Sequence, residues 1–323
     1  MPTGNKLDNE TVIRLASELG FTLTGFALYQ KLGKETSLLM EWLGKGYHAG
    51  MEYMAKNTDK REDPALILPS VKSVISLALN YKPAVGFPPD EDKLKVSSYA
   101  WGEDYHYIMW DKLSLLVEKF RETEPDTEAV YYVDTGPVMD KVWAVKAGLG
   151  WMGKHSNIIN REIGSWFFIA NIFINKEFTP SPEVEDFCGT CTACIDACPT
   201  EAIVPGRMID SGRCISYLTI ENKSDIIPDE FRGKFENWVF GCDICQDVCP
   251  WNIRFSVPAT EPRFEQFTDS EGNPMPKNVT LTSAQFEGIS EREFRKKFDR
   301  SPLKRAKLKG IKRNIQFVTG QKI

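Results

Sequence analysis

Apolar and polar positions alternate along the first half of the chain with two periods. From Asn9 to Leu19, Val12, Ile13, Leu15, Ala16 and Leu19 recur at helical spacing and Gly20 supplies a stop, which predicts a first helix. Phe21 to Leu28 predicts a strand, and Met40 to Ala55 a helix interrupted by glycines. Val71 to Asn80 is dense in Val, Ile and Leu and predicts a strand. Tyr105 to Arg121 gives the clearest amphipathic helix, with Met109, Leu113, Leu116, Val117 and Phe120 on one face. Ala129 to Val133 predicts a short strand ending at Asp134. Pro137 then suits the first turn of a helix that stops near Gly148, and Ser165 to Asn175 predicts a buried strand.

This mixture predicts an α+β chain in three parts. Residues 1–180 form an α/β or α+β domain around one main sheet. Residues 178–183, with two prolines, look like a linker. Residues 181–260 carry every cysteine, and residues 261–323 form a basic, helical tail. No segment approaches the ~18 uncharged apolar residues of a membrane span, and the N-terminus lacks a basic-then-apolar leader. A cytoplasmic protein is expected.

Charge changes the picture at one end. The net charge of −5 hides 12 Lys/Arg against 3 Asp/Glu from Glu291 onward, a local +9 that leaves −14 for the rest. An acidic body with a basic tail points to one local polyanion contact.

The eight cysteines carry the chemistry. The first run is Cys188-x2-Cys191-x2-Cys194-x3-Cys198-Pro199, and the second is Cys242-x2-Cys245-x3-Cys249-Pro250, with Cys214 upstream. Two-residue spacings let one loop wrap three corners of a 4Fe–4S cube, and the fourth cysteine of each run crosses to the other cluster, as in bacterial ferredoxins. That crossing gives Cys188, Cys191, Cys194 and Cys249 to cluster one. Cys198, Cys242, Cys245 and, by elimination, Cys214 go to cluster two. Zinc sites favour paired CxxC hairpins over a triple run. Two clusters move single electrons, so the preceding ~180 residues need a cofactor of their own.

No GxGxxG follows a strand, so a Rossmann site is not supported. Three segments look built around a bound molecule instead: Tyr99–His106 (YAWGEDYH), Asp134–Val138 (DTGPV) and the glycine-rich Gly148–Ile158 (GLGWMGKHSNI). Together with Lys60–Pro64 (KREDP), Arg213–Thr219 (RCISYLT) and both cysteine runs, these segments resemble the epoxyqueuosine reductase family. Its members are cobalamin-dependent iron–sulfur enzymes of the last step of queuosine synthesis in tRNA. Some carry an added C-terminal helical-repeat domain, which is not expected in a chain ending at Ile323.

The resemblance implies a base-off cobalamin held between the first domain and the two-cluster module. It implies electrons passing through two 4Fe–4S clusters to cobalamin, and reduction of epoxyqueuosine in tRNA with two electrons and two protons. It makes Asp134 the proton donor, kept protonated by burial beside the corrin. Arg61, Ser97, Asp134, Lys154, Ser156, Ile158, Ser216, Thr219 and Asp243 fall in segments matching the corrin-facing surface. From the residues alone, Asp134 reads more readily as a turn or helix-cap residue than as an acid. His106 and His155 are either cobalt ligands or, more commonly, hydrogen-bonding side chains. Trp101 and Tyr105 are either core or cofactor platform. For the tail, a tRNA substrate favours phosphate contact by Lys304, Arg305, Lys307, Lys309, Lys312 and Arg313 over a merely solvated face. Leu303, Leu308, Ile311, Ile315 and Phe317 predict that part of it packs. A low-potential electron donor and a monomer are expected. The rival class is a corrinoid reductive dehalogenase.

Overall fold

The computed structural model describes residues 6–87, 93–265, 267–268, 274–275, 277–279 and 281–321. The first part runs α1 (Asn9–Glu18), β1 (Leu23–Leu28), α2 (Gly33–Gly44), α3 (Thr58–Glu62), β2 (Ser73–Asn80), β3 (Lys95–Val96), α4 (Tyr105–Thr123), β4 (Ala129–Tyr132), α5 (Asp140–Lys146), β5 (Trp151–Met152), β6 (Ile158–Ile159) and β7 (Phe167–Ile174). The cysteine-rich part adds α6 (Ala193–Asp196), β8 (Ile203–Val204), β9 (Met208–Ile209), α7 (Ile215–Ile220), β10 (Trp238–Phe240), α8 (Ile244–Asp247) and α9 (Pro250–Phe255). The C-terminal segment holds α10 (Glu291–Lys297) and α11 (Lys307–Thr319).

The main sheet has the order β1-β2-β7-β4. Each of its pairings is antiparallel. Of the two arrangements expected of the first domain, α/β and α+β, the antiparallel sheet selects α+β: alternating helices and strands do not by themselves make parallel crossovers. The side-chain alternation of β2 sends Ile75, Leu77 and Leu79 to one face, where α1 and α4 bury Val12, Leu15, Met109, Leu113 and Phe120. It sends Val74 and Ala78 to the other, where α5 buries Trp143 and Ala144. Both faces are covered, so β2 is buried at all eight positions and reads as a continuous apolar run. Full burial of such side chains stabilises by about 1.5–3 kcal/mol each.

Two boundaries differ from expectation. The helix sought over 40–55 starts at Gly33 and ends at Gly44, and Glu52–Ala55 is a single 3-10 turn; Gly46 between them takes a φ of +70°. Pro137 precedes α5 by three residues instead of opening it, because Asp134 adopts a φ of +46° and starts a loop.

Residues 178–183 are irregular but held. Phe178 packs on Phe26 with ring centroids 5.1 Å apart, and Ser181 exchanges hydrogen bonds with the Phe26 backbone at 3.0 and 2.9 Å. The tail packs as expected. Leu303, Leu308, Ile311 and Ile315 share a core with Val96 and Trp101 of the first part and Val239 and Phe240 of β10. β10 also pairs in parallel with β3. The tail therefore fastens the cysteine-rich part to the first. No described helix is long and apolar enough to cross a membrane.

Candidate active site and iron–sulfur sites

Asp134 stands where β4 gives way to the loop before α5. Its side chain is about half exposed, so the protein alone does not bury the carboxyl as the resemblance implied. Two neighbours from the first turn of α4 hold it. The Tyr105 hydroxyl donates to Oδ2, and His106 Nε2 lies 2.7 Å from Oδ1. Asp104 caps α4 by accepting from the His106 backbone N–H, and its carboxylate lies 2.7 Å from His106 Nδ1. Both ring nitrogens are thus occupied by carboxylates. Burial disfavours the charged ring, but the bonds to Asp104 and Asp134 outweigh it and raise its pKa to about 9. Tyr105 stacks flat on Phe168 at 3.9 Å, which fixes the hydroxyl. Trp101, by contrast, is core: it is buried and donates to the Val96 carbonyl.

Behind Asp134 lies a second carboxyl that sequence reasoning missed. Asp140 opens α5 and accepts from Asn171 Nδ2 at 2.9 Å. Enclosure raises its pKa to about 7, with the charge of Asp134 adding to the rise. Arg61 is buried and donates to the Val138 carbonyl at 3.1 Å, while its Nε has no partner. Lys141 is exposed. It donates to the Ser156 carbonyl and Asn157 Oδ1. Desolvation depresses its ammonium against the charges of Cys245, Asp140, Cys214 and Asp134. Tyr53, Glu221 and Arg305 complete the surroundings: burial first, then Glu221, raises the Tyr53 hydroxyl, with Arg305 opposing. Arg305 pairs with Glu221. No local motif announces Tyr53 or Glu221, since each is joined to Asp134 only through space.

The cysteines fall into two neighbourhoods. Cys188, Cys191, Cys194 and Cys249 line one cavity of about 190 Å³ with His155 and Trp251. Burial raises the Cys194 thiol, and Cys188, Cys249 and Cys191 add to it. Burial likewise raises Cys242, followed by Cys245 and Cys214, and Cys245, followed by Cys214, Asp243, Cys194 and Cys198. Cys214 in turn feels Cys198. Among the described residues no three His, Cys, Asp or Glu side chains are grouped around a single metal ion, whereas four thiols around an open cavity suit a polynuclear cluster. The hairpin β5–β6 reaches this cavity. Trp151 Nε1 donates to Cys188 Sγ at 3.4 Å, and Lys154 Nζ holds the carbonyls of Gly189 and Cys191, each at 2.8 Å. His155 is buried, and desolvation with the Lys141 charge pushes its pKa down to about 4.

The remaining residues expected at the corrin face are mostly engaged within the protein. Asp243 is fully buried and accepts from Ser97 and from the backbone and hydroxyl of Ser98. Thr219 accepts from Gly241 N and donates to the Ile215 carbonyl. Ile158 belongs to the core on the α5 side of the sheet. Ser156 Oγ donates to the Arg207 carbonyl, and Ser216 is partly exposed. In the tail, Lys304, Arg305, Lys307 and Lys309 are exposed and Lys312 is partly so. Lys304 pairs with Asp299 and Lys309 with Asp225. Arg313 is committed to the carbonyls of Leu218, Asn222 and Ser224, which competes with the phosphate contact expected of it.

Two family models match the chain. The "4Fe-4S double cluster binding domain" covers residues 187–252, and "Epoxyqueuosine reductase QueG, DUF1730" covers residues 61–135. The epoxyqueuosine reductase of Leadbetterella byssophila is 48% identical over 94% of this chain and 95% of its own length. A solved epoxyqueuosine reductase with a tRNA-Tyr epoxyqueuosine-modified stem loop is 34% identical, with a TM-score of 0.83 over 94% of this chain and 79% of that one. The Bacillus subtilis enzyme, solved with its catalytic aspartate loop swung out of the active site, is 32% identical over the same shares, with a TM-score of 0.83. These relatives are named for epoxide reduction, which decides against the dehalogenase class. This chain belongs to the epoxyqueuosine reductase family.

Proposed function

We propose that Asp134 is the acid in the reaction this family carries out, the reduction of epoxyqueuosine in tRNA to queuosine. Two electrons and two protons enter, and the epoxide oxygen leaves as water. As the C–O bond breaks, the developing alkoxide takes a proton that His106 delivers through Asp134, whose two oxygens accept from Tyr105 and His106, help typically worth 10²–10⁴-fold. His106 is an imidazolium at neutral pH between Asp104 and Asp134. Tyr105 orients the carboxyl. One observation carries this reading: Asp134, half exposed at the end of β4, is held by both the Tyr105 hydroxyl and His106 Nε2.

The family's cofactors, two 4Fe–4S clusters and cobalamin, are this chain's as well. Cobalamin would supply a strongly reducing, nucleophilic cobalt. The residues fit it: the unpartnered buried Nε of Arg61 suits a corrin amide oxygen, and Ser216 offers a partly exposed hydroxyl. Ser97, Lys154, Ser156, Thr219 and Asp243 fix the backbone of the corrin rim through the internal bonds described above, and Ile158 does so by packing. We assign cluster one to Cys188, Cys191, Cys194 and Cys249, and cluster two to Cys198, Cys214, Cys242 and Cys245. Cys191 is exposed, so cluster one, if held by this set, would be the one within reach of a low-potential donor, and the more enclosed Cys242 and Cys245 would hold cluster two away from it.

Lys304, Arg305, Lys307, Lys309 and Lys312 contact tRNA phosphates, while Arg313 fastens α11. The enzyme works as a cytoplasmic monomer. Mass spectrometry of nucleosides from epoxyqueuosine-tRNA incubated with reduced holoenzyme tests the assignment: queuosine forms with the wild type and falls away with Asp134→Asn. Unchanged queuosine with that variant removes Asp134 from the mechanism.

A further inference from the structure

His155 has one polar atom with no use inside the protein. The side chain is 5% exposed. Its Nδ1 accepts from the Asn157 backbone N–H at 3.2 Å, which fixes the tautomer: the hydrogen is on Nε2. That Nε2 has no hydrogen-bond partner, although buried donors are almost always paired. The ring lines the cavity enclosed by Cys188, Cys191, Cys194 and Cys249. Gly153 lets it lie there, since a Cβ at that position would approach His155 Cε1 to 3.1 Å and Ile159 Cδ1 to 2.7 Å. The same hairpin already sends one N–H to this group, from Trp151 to Cys188 Sγ.

We infer that His155 donates an N–H···S hydrogen bond to a sulfur of cluster one and raises the reduction potential of that cluster. The inference rests on the ligand assignment made above. The chemistry is electrostatic. A reduced cluster carries one more negative charge than the oxidised one, so a donor aimed at sulfur stabilises the reduced form more. No proton moves, and the ring stays a neutral donor throughout. His155 is accordingly a tuning residue at the point where electrons enter, and not a cobalt ligand.

The test uses holoenzyme carrying both clusters and cobalamin, titrated by potentiometry with electron paramagnetic resonance detection. Cys188→Ser and Cys249→Ser first mark the signal of cluster one; marking two different signals refutes the ligand assignment, whatever His155 does. With the signal assigned, His155→Leu lowers the midpoint of that cluster and leaves the other in place. His155→Gln, which keeps an N–H donor, recovers part of the shift. An unmoved midpoint in His155→Leu overturns the inference. A second measurement needs no variant: in wild-type enzyme grown with ¹⁵N-histidine, pulsed electron paramagnetic resonance of reduced cluster one shows coupling to a histidine nitrogen. The absence of that coupling overturns it as well.

Discussion

His106 Nε2 lies 2.7 Å from Asp134 Oδ1, and this contact joins the start of α4 to the loop that follows β4. It makes the position of Asp134 depend on the charge of a histidine.

The first prediction is a pH dependence. The His106 pKa of about 9 lies above the ~6.5 of an unperturbed imidazole. Pairing with Asp104 and Asp134 therefore stabilises fully below ~6.5 and is lost as pH rises through about 9. Turnover at saturating tRNA falls across that upper limb, and His106→Gln lowers the plateau and flattens the limb. A pH–kcat profile with the same alkaline limb in the variant would falsify the assignment.

Asp134→Asn keeps the shape and removes the acid. Turnover drops at least ~100-fold, the lower end for general acid loss, while iron content, cobalamin occupancy and KM for tRNA stay near wild type. Single-turnover kinetics with chemically reduced enzyme separate this from slower electron delivery.

Cys214→Ser damages the same cluster as Cys242→Ser, although 27 residues separate them. Iron falls from about eight to about four per chain in each. Identical residual spectra in the two variants are the expected result, and different ones redraw the ligand sets.

The tail divides into two kinds of residue. Lys304→Ala, Lys307→Ala and Lys312→Ala weaken tRNA binding and flatten its log–log salt dependence by roughly 0.7–0.9 per lost contact, with reduction of the free nucleoside unaffected. Arg313→Ala removes the bonds to Leu218, Asn222 and Ser224 and strands those carbonyls. It lowers the thermal midpoint by the equivalent of about 1–3 kcal/mol. Measuring salt slopes and melting curves side by side sorts the two roles.

Ser76 and Asn171 face each other across β2 and β7, both fully buried. The Ser76 hydroxyl donates to Asn171 Oδ1 at 2.5 Å, which turns the amide N–H groups toward Asp140. Asn171→Leu leaves Asp140 without that donor and frees the loop beginning at Asp134. Hydrogen exchange over residues 134–140 quickens more than over the β2 and β7 amides. Equal quickening in both places marks the pair as core packing only.

The cysteine runs made the clusters legible in the sequence, because wrapping a cube with one loop is a matter of local spacing. α4 and β7 were legible because a side-chain period of 3.6 or 2 records which faces are buried. The packing of Leu308, Ile311 and Ile315 in α11 followed from the same rule. Period carries no strand direction, so the antiparallel order β1-β2-β7-β4 emerged only when the strands were placed side by side. Charge density likewise could not separate Arg313, bonded to three carbonyls some ninety residues away, from the exposed Lys307. The grip of Tyr105 and His106 on Asp134, and the unpartnered nitrogen of His155 beside four thiols, belong to the tertiary structure alone. Hydrogen bonds and charges act over a few ångströms of space, and only the folded chain brings residues that distant in sequence within that range.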